Sequence, residues 1–286
     1  MSRQATGRLY VAKTLNDAVA ALAERGADAA PLAGATWIMR APLRRERQKP
    51  LYVAIARIDS LRALTVDDRE VGIGACATHA ELARQLAALP DCGVLATAAG
   101  GAANPAIREM ATIGGNLCAE NFAAADLVPA LLCLDAEVEI EAPGGCERVA
   151  VSRFLDLRAS STPSQIVRRI IVRRAQRRSA HVRLPLRKAG DYPVAIVSVA
   201  VTLNARGSVD AAAVAVGSVE TVARRWRELE VDLIGHPLDP ARAAEKAKSH
   251  SAALHARDGV EAPAWYRLKV LPSLVRRAIL QLQPQA

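Results

Sequence analysis

Short amphipathic helical stretches alternate along the chain with short apolar runs, and glycine-bearing turns sit where one gives way to the other. Thr14-Leu15-Asn16-Asp17 opens a helix as a variant capping box, with Leu15, Ala18, Val19, Leu22 and Ala23 on one face and Gly26 as its stop. The apolar piece from Ala29 to Ala33 reads as a strand leading straight into Gly34. Leu51 to Ile58 and Glu70 to Ala75 alternate as strands. Thr78-His79-Ala80-Glu81 is a capping box for a helix through Leu82, Leu86 and Leu89 to Pro90, so His79, at a helix start, reads as structural rather than catalytic. The small residues from Cys92 to Ala103 predict a closely packed helix that Asn104-Pro105 ends.

The most informative stretch runs from Ala111 to Glu141. In Thr112-Ile113-Gly114-Gly115-Asn116 two adjacent glycines permit positive φ and close approach to a ligand, and the flanking Thr112 and Asn116 donate and accept hydrogen bonds. Asp126 stands as an N-cap before Leu127, Ala130, Leu131 and Leu134 at helical spacing. A bound polar ligand would explain this order; so would a plain turn feeding a helix. Val138 and Ile140 then alternate with Glu137, Glu139 and Glu141, which predicts a half-exposed strand with its glutamates on the solvent face, and Pro143-Gly144-Gly145 turns it back toward Arg148 to Val151 as a hairpin.

Gln165 to Arg173 is a further strand, and the arginine-rich run from there to His181 marks the boundary between two domains. Arg187 to Pro193 forms a polar turn before the near-continuous apolar strand Val194 to Leu203, whose neighbour is Val209 to Val219. Asp239-Pro240 starts a helix as N-cap and N1, and a last helical region, Ala262 to Leu282, should kink or split at Pro272.

Composition narrows the classes. At 286 residues the chain is long enough for two domains, and no apolar run approaches the span of a bilayer. The N-terminus MSRQATGRLY lacks the apolar segment of a signal peptide, so the expected location is the cytoplasm. Cys76, Cys92, Cys118, Cys133 and Cys146 are scattered, without a C-x-x-C pair or a neighbouring histidine at metal-ligand spacing, and read as reduced thiols with no metal or iron–sulfur site. His250 and His255, five apart on an expected helix, do not share a face as a ligand pair would. A net charge of +9 raises nucleic acid as a partner, but aromatics are only 3% of residues and no recognition motif accompanies the basic runs Arg44 to Lys49, Arg168 to Arg178 and Arg224 to Arg227. Those runs read as solvated basic faces or as a docking surface for an acidic partner subunit. No Ser–His–Asp pattern or pair of catalytic carboxylates is present.

Taken together, PLAGATWI, VGIGACATHAEL, ATIGGNLC with AADLVPALLCLDAEVEI, and LRKAGDYPVAIVSVAV resemble, in order and spacing, the FAD-binding medium subunit of molybdenum hydroxylases, a family that includes the flavin subunits of carbon monoxide dehydrogenase and bacterial xanthine dehydrogenase. The resemblance covers nearly the whole chain. It implies an α+β protein: a vanillyl-alcohol-oxidase (PCMH) type FAD-binding domain over residues 1–176, built of two α/β subdomains of about 1–58 and 59–176, then a smaller α+β C-terminal domain over 177–286.

Carried over by motif, the first loop, Pro31, Leu32, Ala33, Gly34, Ala35, Thr36, Trp37 and Ile38, would wrap the FAD diphosphate with backbone amides. The second, Ala111, Thr112, Ile113, Gly114, Gly115 and Asn116, would face the same diphosphate and the ribityl chain. Asp126 would bind on the adenosine side through a sugar hydroxyl, Ala102 and Ala103 would line the flavin or its chain, and Arg183 stands where the family often has a lysine at the flavin edge. The family's first loop usually reads A-G-G-T/N followed by an acidic or small residue, whereas this chain has Ala35 and Trp37, and AENFAAAD is one residue longer than usual. If Ala35 takes positive φ, its Cβ costs about 1 kcal/mol relative to glycine. Trp37 would then either cover the cofactor or enter the core.

The activity implied is that of an oxidoreductase subunit without catalytic side chains of its own. In the family a molybdopterin-binding large subunit hydroxylates the substrate, a small subunit with two [2Fe–2S] clusters carries the electrons, and the flavin subunit hands them to NAD, a quinone or another protein. The assembly implied is a heterotrimer or its dimer. The alternative is a structural subunit of such a complex that binds flavin poorly, motivated by Ala35 and Trp37; nucleic-acid binding ranks last.

Overall fold

The computed structural model describes residues 8–160, 162–186 and 192–283. Residues 187–191 of the expected polar turn, and the first seven residues of the N-terminus read for a leader, lie outside these. In chain order the elements are β1 (Arg8–Val11), α1 (Leu15–Arg25), β2 (Ala29–Leu32), β3 (Leu51–Ala54), β4 (Leu64–Val66), β5 (Glu70–Gly74), α2 (His79–Gln85), α3 (Gly93–Gly101), α4 (Pro105–Arg108), α5 (Ile113–Cys118) and α6 (Leu127–Cys133). There follow β6 (Glu137–Ala142), β7 (Gly145–Ala150), α7 (Val151–Leu157), β8 (Ile166–Arg173), β9 (Arg178–Pro185), β10 (Pro193–Leu203), β11 (Val209–Gly217), β12 (Arg224–Arg225), α8 (Arg227–Leu233), α9 (Pro240–His250) and α10 (Ala264–Leu282).

Two compact units emerge, each discontinuous in sequence. The first gathers the described residues of Met1–His79, Ala106–Glu120 and Glu137–Val172. It holds a parallel three-stranded sheet, β1-β3-β2, and a five-stranded sheet, β4-β5-β8-β6-β7. β1 and β2 flank β3 and both run parallel to it, and α1 carries the chain across from one flank to the other. The helix starts as expected: Asp17 N–H donates to Thr14 Oγ1 (3.1 Å), while the Asp17 carboxylate accepts from Lys13 N–H (2.8 Å) and Tyr10 Oη (2.6 Å). Its Leu15, Ala18, Val19 and Leu22 face a core with Val53, Ile58 and Leu61. This arrangement aims the carboxyl end of β2 at the loop from Ala33 to Trp37, the place where open α/β sheets keep their ligands.

The second unit gathers the described residues of Ala80–Pro105, Asn121–Ala136 and Arg173–Ala286. Its antiparallel sheet, in the order β12-β11-β10-β9, packs Val182, Val197, Val199 and Val214 on one face against α8, α9 and α10, with Trp226 and Leu271 fully buried. Helices α3 and α6 pack against strands of the same sheet. Burial of its first nine residues explains why β10 reads as a near-continuous apolar run.

Several expectations are corrected. The strand expected over Leu51 to Ile58 ends at Ala54, and α10 runs unbroken through Pro272 from Ala264 to Leu282. His255 lies beyond the helix that ends at His250. Glu137, Glu139 and Glu141 do share a face, but not a solvated one. Arg169, beside Glu139 across β6 and β8, forks onto its carboxylate at 2.6 and 2.8 Å; Arg148 bonds Glu137 at 3.0 Å, and Arg168 lies 3.6 Å from Glu141. Glu139 is only 8% exposed, and the Arg169 guanidinium holds its carboxyl below the usual range. The run at Arg224 to Arg227 is likewise paired, with Glu220, Glu228, Glu230 and Asp135. Carboxylates remote in sequence pair the arginines of β8, and at Arg224 to Arg227 neighbouring glutamates are joined by the remote Asp135.

Candidate functional site

The first unit brings the two glycine-bearing loops into contact. Pro31 and Leu32 close β2, Ala33 to Trp37 form the loop, and Ile38 opens a 3-10 turn that ends at Arg44. All eight residues are half-buried. Among the described residues, the backbone amides of Ala33, Gly34, Ala35 and Thr36 have no hydrogen-bond partner. Ala35 takes φ 61°. A left-handed residue amid successive open amides is the backbone form of an anion-binding concavity. Gly34 is required for another reason: a Cβ there would lie 1.8 Å from the Met110 carbonyl oxygen, so only glycine lets the two loops touch. Trp37 neither enters the core nor lies bare, because the Arg44 guanidinium sits 3.8 Å over its ring and bonds its carbonyl at 3.1 Å.

The second loop is folded differently from its expectation. Instead of an open glycine turn, Ile113 to Cys118 form the short helix α5, and neither Gly114 nor Gly115 has positive φ. Ile113 N–H donates to Ala77 O (3.0 Å), Gly114 N–H to Ala75 O (2.8 Å), Gly115 N–H to Thr112 Oγ1 (3.1 Å) and Asn116 N–H to Thr112 O (2.9 Å). The first-turn amides are therefore spent on the chain itself. Gly114 is small so that α5 can lie on Ala75, whose oxygen would be 2.8 Å from a Cβ. Ala111 N–H is taken by Ile107 O, and its carbonyl accepts from His79 N–H (2.9 Å). The His79 ring is 3% exposed with both nitrogens unpartnered, and burial, reinforced by Arg108, pushes its pKa down to about 4.

In the second unit Asp126 and Arg183 are direct partners. Arg183 Nε donates to Asp126 Oδ1 at 2.8 Å and its NH1 to Gly101 O at 2.9 Å. The resemblance placed these two at the adenosine side and at the flavin edge; here they meet. Nor does Asp126 cap α6, since its backbone is already helical (φ −61°, ψ −35°) and its side chain makes no cap bond. It is 6% exposed, and burial raises its carboxyl to about 6 against the pull of Arg183. Ala102, buried, ends α3, and Ala103 follows with φ 48°.

The alternate positions Ser179, His181 and Arg183 of β9 were overlooked as a set. Ser179 Oγ accepts from Val94 N–H (3.1 Å) near the start of α3, Arg183 bonds Gly101 at its end, and His181 Nδ1 meets Ser198 Oγ (2.9 Å) between them. The polar alternation in RSAHVR was the available signal. Among the described residues, no group of three or more His, Cys, Asp or Glu side chains could hold a metal ion, and no helix is long and apolar enough to cross a membrane.

Open amides at the carboxyl end of a parallel strand fit the diphosphate of a dinucleotide. Residues 4–173 match the family model described as FAD binding domain in molybdopterin dehydrogenase, and residues 180–282 match the CO dehydrogenase flavoprotein C-terminal domain. The class is that of a flavoprotein oxidoreductase subunit of α+β build with FAD as cofactor. The chain belongs to the FAD-binding medium subunits of the molybdenum hydroxylase family. It is 31% identical over 286 residues to the carbon monoxide dehydrogenase medium chain of Afipia carboxidovorans, covering 96% of each chain. It is 29% identical over 272 residues to the 6-hydroxypseudooxynicotine dehydrogenase complex subunit alpha of Paenarthrobacter nicotinovorans, covering 94% and 92%. A solved structure described as reconstituted CO dehydrogenase from Oligotropha carboxidovorans superimposes with a TM-score of 0.87 at 28% identity, covering 97% of both chains.

Proposed function

We propose that this chain is the electron outlet of a three-subunit molybdenum hydroxylase. It receives electrons from the [2Fe–2S] clusters of a small partner subunit, after oxidation of substrate at a molybdopterin-binding large subunit, and passes them to an external acceptor. FAD, when bound, supplies the exchange between single electrons and pairs that links such a chain to a two-electron acceptor. The protein's own part is to bind and orient. Ala33 to Thr36 hold the diphosphate through backbone amides, Gly34 seats that loop on Met110, and the second loop, Ala111 to Asn116, acts as the rigid floor behind it. Asp126, Arg183, Ala102 and Ala103, all in the second unit, are further candidates for contact with the cofactor. The division into a flavin domain over 1–176 and a C-terminal domain over 177–286 belongs to the same reading, as does a cytoplasmic location, which the five free cysteines favour.

The observation that carries the proposal is the row of four open, half-buried amides around Ala35. Its test is purification of the full chain: a yellow protein that releases FAD on denaturation, or an apoprotein that regains the flavin spectrum on titration with FAD, is expected. A colourless chain that FAD does not reconstitute sinks the proposal. Co-purification with a molybdopterin subunit and a two-cluster iron–sulfur subunit tests the partners.

A further inference from the structure

Ser218 follows β11 and is fully buried with φ 62°, a conformation in which glycine is the ordinary choice. Every polar atom of this strained serine is engaged. Its N–H donates to Ala123 O (2.9 Å) and its hydroxyl to Pro193 O (2.5 Å). Its carbonyl accepts from Arg267 NH1 (2.9 Å) and Arg257 Nε (3.2 Å), and Arg257 NH2 reaches the hydroxyl at 3.2 Å. Arg267 is 0% exposed and spends its other donors on Val194 O (2.6 Å), Arg257 O (3.1 Å) and Glu261 Oε2 (3.0 Å). A buried charge is kept only where such bonds compensate its desolvation. Glycine would relieve the strain at Ser218 but lose the hydroxyl, and with it the tie to Pro193.

The two backbone groups that Ser218 grips each sit next to an aromatic residue. Ala123 follows Phe122 and Pro193 follows Tyr192, and those rings pack edge to face with centroids 5.4 Å apart. Ala123 also lies in the short segment that ends at Asp126 and its bond to Arg183. We infer that Ser218, held by Arg267 and Arg257, is the positioning residue that fixes the Phe122–Asp126 segment and the start of β10 for cofactor binding. It touches none of the proposed binding residues itself, and the inference rests on the reading of Asp126 as part of the FAD site. Backbone strain of this kind persists only where the surroundings over-determine it, and functional positions are where it collects.

The test is Ser218→Gly in the full chain, read in three ways. Hydrogen exchange without flavin should quicken at residues 194–195, where the hydroxyl bond is lost, and at 122–126, because glycine loosens the backbone whose N–H bonds Ala123, while the thermal midpoint moves little because relief of strain offsets the lost bond. The affinity for FAD should fall about tenfold, the size of one hydrogen bond to a positioned group, and the visible flavin bands should shift. Unchanged exchange in both segments overturns the anchoring role, whether or not flavin binds. Faster exchange with unaltered FAD affinity and spectrum overturns the link to the cofactor. If the unsubstituted chain takes up no FAD, the functional reading fails instead, and the exchange measurement still decides whether Ser218 is the anchor. Arg267→Lys, which keeps the charge but loses the fork, should reproduce the exchange change.

Discussion

The loop after β2 holds one glycine and leaves four successive amides open, whereas the loop into α5 holds two glycines and spends its first-turn amides on Ala75, Ala77 and Thr112. In both, glycine answers a contact between backbones: Gly34 with Met110 O, Gly114 with Ala75 O. The left-handed position that shapes the open loop belongs to Ala35. Glycine content therefore does not rank loops as binding sites; what decides is where the amides go. On the proposed reading, one loop receives the diphosphate and the other supports it.

Gly34→Ala is the strongest way to break this contrast. Its Cβ would fall 1.8 Å from Met110 O, a clash with backbone that no side chain can yield to, so the two loops must part. The fold should lose about 3 kcal/mol, the upper range for overpacking. FAD affinity should fall at least about a hundredfold, since the amide row is no longer seated. Denaturant unfolding and the flavin-to-protein ratio read the two effects; normal flavin content would show that contact between the loops is irrelevant to binding.

Acid probes the support. His79 lies beneath the second loop with its pKa lowered to about 4 from an ordinary 6.5, chiefly by burial. Its folded value is below its unfolded one, so its contribution is complete above pH 6.5 and is lost as pH falls toward 4, when only the unfolded chain takes the proton. The shift amounts to about 3 kcal/mol. Unfolding free energies between pH 7 and 4 should show this slope, and His79→Leu should remove its share. An identical slope in the variant would mean that the ring is charged or solvated in the fold.

Gly114→Ala separates support from receptor more finely. The added Cβ meets Ala75 at 2.8 Å, so stability should drop by about 2 kcal/mol. FAD affinity of the folded fraction should stay within about threefold, because no amide facing the ligand is disturbed. A loss of affinity as large as that of Gly34→Ala would make the second loop a direct diphosphate ligand and erase the distinction.

These contrasts also mark how far the sequence could be read. Caps, stops and apolar periodicity are local, and Thr14, Gly26 and Asp239 act where their spacing predicted. The family, and with it FAD, was legible because four weak motifs stand in order over the whole chain. Partnerships across the chain were not. Nothing within six or seven residues of Glu139 announces Arg169 as its partner, and the helix-cap pattern at Asp126 gave no sign that Arg183 would take its carboxylate. The same holds for Ser218, whose carbonyl is bonded by Arg267 from nearly fifty residues later. Glycine pairs mislead for a related reason: the residue type permits close approach but does not say whether ligand or chain arrives.

Ala35→Gly is the smallest change and the most discriminating. Positive φ costs a Cβ about 1 kcal/mol, but glycine also widens the unfolded ensemble by a similar amount, so stability should move by less than about 1 kcal/mol. The effect on FAD turns on when the strain is borne. If Ala35 already sits at φ 61° before the ligand arrives, free and bound states carry the same strain and affinity is unchanged. If the free loop relaxes away from that conformation, glycine can raise affinity by at most about fivefold, the whole of the φ term. Titration of both apoproteins with FAD, followed by flavin fluorescence, measures the ratio. A ratio near one identifies a preformed receptor; a rise well beyond fivefold could not come from backbone strain, and would favour a subunit whose alanine keeps flavin out.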